Sequence, residues 1–223
     1  MDAADAGLWS RKLSRVGLFP LPNVVLFPCQ SLALHVFEPR YRRLIRDAIA
    51  QHSPIAVPRL KPGFDADYYG APPVFPVCGV GEIREYSELP DGCYNIVVQG
   101  LTRVHLLEEL RSEPYRVARA EALPPTRAPA QVLDALRAEL AKQVRRIAPH
   151  LSGPAQNLES RLTADPGECA DVVAGALIEE PDQRQELLEE LDPSRRLSWL
   201  IAHLHGHAVR KLVPQRETPE NWN

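Results

Sequence analysis

The sequence predicts an α+β protein: an N-terminal β-barrel that includes one helix, followed by a C-terminal all-α helical bundle. Two observations support this prediction. Apolar residues recur with a period of two along most of residues 16–122, as they do in half-buried strands. After the proline-rich stretch LPPTRAP at 123–129, the period changes to that of amphipathic helices. We therefore place a hinge at 123–129 and the bundle at 130–213, with tails at 1–15 and 214–223.

The N-terminal half opens with closely spaced Phe-Pro and Leu-Pro steps in GLFPLPNVVLFP, which begins at Gly17. Proline fixes its own φ and lacks an N–H, so these segments should be extended but cannot lie centrally in a sheet. The next segment, LALHVF, alternates as a strand does. Further on, SELPDG supplies turn residues between the predicted strands VCGVGEIREY and CYNIVVQG. Gly100 should then interrupt the run, and PYRVARAEAL adds a last strand. Short strands at this spacing favour a small antiparallel barrel or sandwich.

One helix should interrupt the strands. EPRYRRLIRDAIAQH predicts a helix from Pro39 to Gln51, because proline suits the first helical position. Its apolar positions fall on one stripe, formed by Tyr41, Leu44, Ile45, Ala48 and Ile49. Four arginines lie mainly off this stripe. They allow an anion-binding or nucleic-acid-binding patch, but the net charge of −3 favours a solvated face beside acidic neighbours.

The C-terminal half shows helix signals throughout. One apolar stripe runs along AQVLDALRAELAKQVRRIAPHL, and Asp165, Pro166 and Glu168 form a near capping box before the next helix. Asp192 and Pro193 begin another helix in the same way. Four or five such helices predict a bundle.

Composition narrows the class of protein. No apolar run approaches the roughly 20 residues that span a bilayer. The first residues have no apolar core and do not predict a secretory signal. The four cysteines show no CxxC spacing, which favours reduced thiols in a cytoplasmic protein.

A histidine cluster near the C-terminus invites a metal hypothesis. His203 and His207 share a helix face at i, i+4, but His205 points elsewhere and no third ligand lies nearby. The alternative is a polar helix face with titratable histidines. We expect no metal and no cofactor.

Several stretches resemble a known family. LFPLPNVVLFP, FEPRYRRLIRDAI, CGVGEIREYSELPDGCYNIVVQGLTRVHLLEEL and PYRVARAEAL look like the N-terminal, substrate-recognition domain of the Lon protease family, a domain also present in cereblon. The later helical segment ADPGECADVVAGALIEEPDQRQELLEELDPSRRLSWLIAHL is similar to the helical part that follows in Lon. The resemblance implies a distorted six-stranded barrel of the PUA-like kind.

The sequence departs from complete Lon proteases. It contains no G-x-x-x-x-G-K-[ST] loop for an ATPase, and no lysine lies near a serine in a glycine-rich context. We therefore expect a non-catalytic, free-standing relative of the N-terminal domain. Zinc bound as in cereblon would need paired CxxC motifs, which are absent.

The expected activity is binding of unfolded or partly folded polypeptide, or of a partner protein, in quality control or as an adaptor. The long loop RLKPGFDADYYGAPPVFP supplies candidate binding residues: Phe64, Tyr68, Tyr69 and Phe75. Those rings equally fit a role in covering one end of the barrel, and the cleft between the two halves is another candidate. An RNA-binding PUA-like module is the alternative function, although the charge balance argues against nucleic acid.

Overall fold

The computed structural model of the chain describes residues 11–67, 70–110, 114–151 and 155–212. The strands are β1 (Val16–Leu18), β2 (Ser31–Val36), β3 (Ile55–Val57), β4 (Val77–Glu88), β5 (Tyr94–Leu110) and β6 (Val117–Ala122). The α-helices that interrupt or follow the strands are α1 (Pro39–Gln51), α2 (Ala130–Ile147), α3 (Pro166–Leu177), α4 (Pro181–Glu189) and α5 (Pro193–Leu212). The α+β class and the helix from Pro39 to Gln51 are confirmed.

The strands form one six-stranded sheet in the order β2-β5-β4-β3-β1-β6, and β6 also pairs with β5. Backbone pairing therefore returns to β5 and closes a ring of five strands, with β2 attached outside the ring. The predicted antiparallel arrangement is wrong for one pair of strands, because β1 and β3 pair in parallel. The chain passes through β2 and α1 between these two strands, and a connection of that length permits the parallel arrangement.

The predicted interruption at Gly100 is also wrong, since β5 continues through it for 17 residues. The pairing of β4 with β5 shifts register between Val80 and Gly81, which leaves Leu101 as a bulge. Gly100 serves a different purpose from a strand end. A Cβ on it would lie 2.0 Å from the carbonyl oxygen of Phe27, and one on Gly79 would lie 2.0 Å from that of Leu26. Both glycines let the loop between β1 and β2 approach the sheet closely. We call this segment, residues 19–30, the proline-rich loop.

The proline-rich loop connects two apolar cores. Leu26 is fully buried among residues of the sheet and α1. Its neighbours Val25 and Phe27 are buried in a different cluster, which consists otherwise of residues from the helical half. Successive side chains of an extended segment point to opposite sides, so the prolines hold a segment that contributes to both cores at once.

Helix α1 covers the sheet core by the predicted stripe. Tyr41, Leu44, Ile45 and Ala48 are buried, and the ring of Tyr41 meets that of Phe19 edge-on, with 4.6 Å between centroids. These contacts place α1 on the core-facing side of β2 and β5. The opposite side of these strands is left to solvent.

The helices after residue 130 share one core, built around residues such as Leu140, Val173 and Leu200. Asp165 caps α3 as predicted, with its Oδ1 accepting from the Glu168 amide at 2.8 Å. Residues 123–129 form neither helix nor strand, and the Thr126 amide donates to the Leu191 carbonyl at 3.0 Å. The bundle and the division into two domains stay predictions.

A buried ionic cluster joins the sheet to the helices. Arg103 of β5 donates two hydrogen bonds to Asp171 of α3, at 2.8 and 2.5 Å, and its Nε donates to the Leu188 carbonyl at 2.9 Å. Arg196 of α5 donates to the same carboxylate at 2.8 Å. All three charged side chains are less than 10% exposed. One carboxylate thus neutralises part of the charge of two guanidinium groups.

Helix α4 adds polar contacts across the same boundary. Arg184 donates to the carbonyls of Ile178 and Val25, each at 2.9 Å, and its guanidinium lies 5.3 Å from the centre of the Phe27 ring. Gln185 donates to the Val77 carbonyl at 2.9 Å. Such hydrogen-bonded contacts fix the helical half against the sheet. Among the described helices, none is long and apolar enough to cross a membrane.

Candidate functional site

The outer face of β2, β5 and β4 is open to solvent. Exposure alternates along β2, so that Ser31, Ala33 and His35 are exposed while the residues between them are partly buried. Paired residues share a face of a sheet. The outward row therefore continues from His35 to its β5 partner Asn95, and from Ala33 to Val97. On this face His35 Nδ1 and Asn95 Oδ1 are 2.7 Å apart.

This face carries a shallow depression of about 490 Å³. Phe37 follows β2 at one end of it, is 62% exposed, and stacks on His35 with 6.3 Å between ring centroids. We name this region the β2 surface. It consists of Phe37, which stacks on His35, and of five residues that line the depression: Ala33, His35, Glu85, Asn95 and Val97. It combines small apolar side chains, one exposed phenylalanine and few charges. Glu85 is the single carboxylate of this surface, so an apolar chain can contact its other positions without desolvating a charged group.

The predicted aromatic loop lies elsewhere and is only partly described. Its base is a short antiparallel ladder in which Lys61 N donates to the Pro73 carbonyl and Phe75 N to that of Arg59, each at 2.9 Å. Phe64 begins a 3-10 helix and is half-buried. Tyr68 and Tyr69 lie outside the described residues.

Phe75 is held by cationic neighbours. The Arg59 guanidinium lies 5.1 Å from the centre of its ring, and the Lys61 ammonium lies 5.9 Å from it. Arg59 itself is buried and donates to Asp182 of α4 at 2.6 Å. The structure thus places Phe75 beside Arg59 and Lys61 at the base of the loop, while the binding role of the four predicted residues stays a prediction.

The reactive residue types occupy structural positions. Burial raises the pKa of the Cys78 and Cys169 thiols, which leaves them poor nucleophiles at neutral pH. His203 stacks on Trp199 at 4.8 Å between ring centroids, and His205 Nδ1 lies 2.9 Å from the Ile201 carbonyl oxygen. The side chain of His207 lies outside the described residues. Across residues 11–67, 70–110, 114–151 and 155–212, no group of three or more His, Cys, Asp or Glu could hold a metal ion.

Sequence reasoning missed the β2 surface. LALHVF was predicted as a strand, but its position at the end of the strand order depends on pairings with β5 residues about 60 positions away. The available signal was the absence of charge and proline along β2.

Comparison with known proteins places this fold in a family. The model of the "ATP-dependent protease La (LON) substrate-binding domain" matches residues 15–206. A Lon protease from Roseiflexus castenholzii is 32% identical over 192 residues, which are 84% of this chain and 23% of that protein. A Lon protease from Anaeromyxobacter dehalogenans is 29% identical over 196 residues, 84% of this chain and 22% of the relative. The chain thus spans about a quarter of the length of the curated relatives it matches.

Solved structures show the same fold. The crystal structure of a Lon N-terminal domain protein from Xanthomonas campestris has a TM-score of 0.62 and 23% identity, covering 84% of this chain and 97% of that one. The N-terminal domain of the Mycobacterium avium complex Lon protease has a TM-score of 0.68 and 18% identity, covering 86% and 99%. Since the family model spans most of the sequence, the chain belongs to the Lon substrate-binding domain family.

Proposed function

We propose that this protein binds unfolded or partly folded polypeptide without catalysis, acting as an adaptor or in protein quality control. The family to which it belongs is named for substrate binding, and the substrate of a protease is a polypeptide. The matched region is a small part of each Lon relative, which supports a binding role separate from ATP hydrolysis and peptide cleavage. The elevated pKa of the buried thiols supports the absence of cysteine chemistry.

The observation that carries the proposal is the β2 surface. A phenylalanine that is 62% exposed beside an open sheet face leaves apolar area in water. Exposed aromatic side chains are frequent anchors of binding interfaces, because they bury a large area at little cost in conformational entropy. An unfolded chain offers the apolar side chains that such a surface can cover. Folded proteins keep most of theirs inside.

The aromatic loop is the second candidate surface. Phe64, Tyr68, Tyr69 and Phe75 would add rings to the binding area, with Phe75 fixed by Arg59. We also propose that the closed ring of strands is the PUA-like barrel, that the helical half is a bundle, and that the protein is cytoplasmic. The closed pairing of β5 with β6 and the four free thiols support the first and last of these.

The test is a fluorescence titration with dye-labelled α-lactalbumin in two forms, native and reduced with its thiols carboxamidomethylated. We expect saturable binding of the unfolded form and none of the native form. Phe37→Ala should weaken binding about tenfold, as loss of one interface anchor does. Val132→Ala is the matched control, since Val132 is 47% exposed on α2 and should not contact the ligand.

The loop is tested in the same titration with Tyr68→Ala combined with Tyr69→Ala. If this double variant binds the unfolded probe more weakly and Phe37→Ala binds it normally, the binding site lies on the loop. Equal affinity for both forms of lactalbumin, or no binding of either, would contradict the proposed function.

A further inference from the structure

The sheet has two free edges that differ in charge. Strand β3 pairs with β4 only at residues 79–81, so the rest of β4 has an open edge. This open part carries Glu82, Arg84, Glu85 and Glu88. Strand β2 lies at the end of the strand order, so within the described part of the chain its outer edge is open as well. Its six residues, SLALHV, include no Asp, Glu, Lys, Arg or Pro, and its pairing with β5 has no register shift.

Natural proteins usually protect a free strand edge with charges, prolines or bulges, because its unpaired backbone groups can bind another strand. The open part of β4 has such protection through its charged side chains. The β2 edge lacks all three devices. Among the described strands and helices, only β5 packs along the length of β2. No described helix therefore covers this edge.

The hydrogen-bonding phase of β2 follows from the residues before it. The Gly100 amide donates to the Gln30 carbonyl at 2.8 Å, and the Cys29 amide donates to the Gly100 carbonyl at 2.9 Å. Gln30 and Gly100 therefore form a hydrogen-bonded pair, and the extra residue Cys29 makes a bulge beside it. Hydrogen-bonded positions alternate along an antiparallel pair. The amide and carbonyl groups of Ser31, Ala33 and His35 consequently face away from β5.

The side-chain contacts of β2 agree with this alternation of backbone hydrogen bonds. Ser31 Oγ donates to Gln99 Oε1 at 2.8 Å, and His35 bonds Asn95 across the strands. Such contacts suit positions without backbone hydrogen bonds, where side chains are closer together. Among the described residues, no hydrogen bond reaches the outward amide or carbonyl groups of Ser31, Ala33 and His35.

We propose that the polypeptide is bound as an added β-strand along the free edge of β2, and that the edge selects extended, uncharged segments. This inference rests on the proposed function. Backbone hydrogen bonds to the outward groups of Ser31, Ala33 and His35 supply affinity for any sequence. Alternate side chains of the added strand lie beside Phe37 and the depression. A charged side chain there finds no formal charge on β2 to pair with, so an uncharged segment is favoured.

A second folded copy fits this edge less well. Six extended residues span about 20 Å, and a strip about 10 Å wide of that length covers roughly 200 Å². A stable interface between folded proteins buries roughly 800 Å² on each partner. A flexible chain has no such requirement, because it can follow the edge and then lay side chains on the β2 surface.

The test uses two variants of the full chain with reduced, carboxamidomethylated α-lactalbumin as the probe. Ala33→Pro removes the central outward amide, which makes no bond to β5, and an edge strand tolerates proline at such a position. Ala33→Lys places a charge on the edge and leaves the backbone intact. We expect each variant to melt as the wild type does and to bind the probe about tenfold more weakly. Val132→Lys adds the same charge on α2 and should bind normally.

Hydrogen exchange supplies a second readout. Saturating probe should slow exchange at the amides of Ala33 and His35, which donate no hydrogen bond to any described residue of the free protein. Strand addition is refuted if both Ala33 variants bind the probe as tightly as the wild type, or if the probe leaves amide exchange unchanged. In either case the proposed function stands. Should Ala33→Pro fail to fold, Ala33→Lys and the exchange data decide. If the wild-type protein does not bind the probe, both strand addition and the proposed function are refuted. Self-association that Ala33→Lys abolishes identifies the edge as a contact between copies and overturns the proposal.

Discussion

Asp171 is the residue whose loss should most weaken the attachment of the helices to the sheet. Its carboxylate accepts hydrogen bonds from two buried guanidinium groups, those of Arg103 and Arg196. Burial lowers the pKa of Arg196 to about 10, which shows how unfavourable its environment is for charge. Asp171→Asn keeps the shape of the side chain but removes the negative charge. It also turns an amide donor toward one of the guanidinium groups.

The expected loss follows from this geometry. Removing one partner of a buried ion pair costs about 3–5 kcal/mol, because the other charge stays buried without compensation. Two arginines depend on Asp171, which places the variant near the upper end of that range. A chain of this size loses about 2–4 °C of Tm for each kcal/mol, so a loss near 5 kcal/mol should lower Tm by about 10–20 °C.

The assay is urea unfolding followed by circular dichroism, with Glu108→Gln as the matched control. Glu108 pairs with Arg119 at 3.6 Å, and both side chains are 53% exposed. An exposed pair of this kind contributes less than about 1 kcal/mol. A free energy of unfolding within about 1 kcal/mol of the wild type for Asp171→Asn would refute the reasoning.

Four further predictions concern Phe27 in the proline-rich loop, the glycine that this loop approaches, a helix cap and catalysis. Phe27→Ala should cost about 3–5 kcal/mol and keep one unfolding transition, since Phe27 belongs to the helical core; two transitions by calorimetry would contradict this. Gly100→Ala should cost at least about 1–3 kcal/mol in urea unfolding, because its Cβ would meet the Phe27 carbonyl; wild-type stability would contradict the contact. Asp192 accepts from the Ser194 amide and hydroxyl, which lowers its pKa. Asp192→Ala should therefore cost about 1 kcal/mol at pH 7. A depressed folded pKa means that this stabilisation is present above pH about 4 and is lost as the pH falls through the folded value, so a constant difference between pH 7 and pH 2.5 would refute it. Finally, the purified protein should neither hydrolyse ATP nor cleave casein, and turnover that survives removal of contaminating protease would contradict this.

Local signals predicted the helices well. The apolar stripe of α1 and the caps at Asp165 and Asp192 depend on residues within a few positions of each other, and the structure has them as predicted. Such features are visible in sequence because helical contacts join residues three or four apart.

The errors concern contacts between distant residues. Strand β3 is three residues long, and its parallel pairing with β1 depends on a partner almost 40 positions away. Gly100 resembles a strand terminator until the approach of Phe27 is known. Similarly, nothing near Asp171 in sequence indicates that Arg103 is its partner. The free edge of β2 is likewise a property of the strand order, which periodicity does not report.

Photo-crosslinking tests the central claim most directly, namely that the β2 surface contacts unfolded polypeptide. Benzoylphenylalanine is placed at Phe37, at Phe75 in the loop, or at Val132 as the control, and each protein is irradiated with reduced, carboxamidomethylated α-lactalbumin. We predict a crosslink from position 37 that excess unlabelled probe competes away, and none from position 132. Labelling from position 37 that does not exceed that from position 132, or labelling from position 75 alone, would contradict the account.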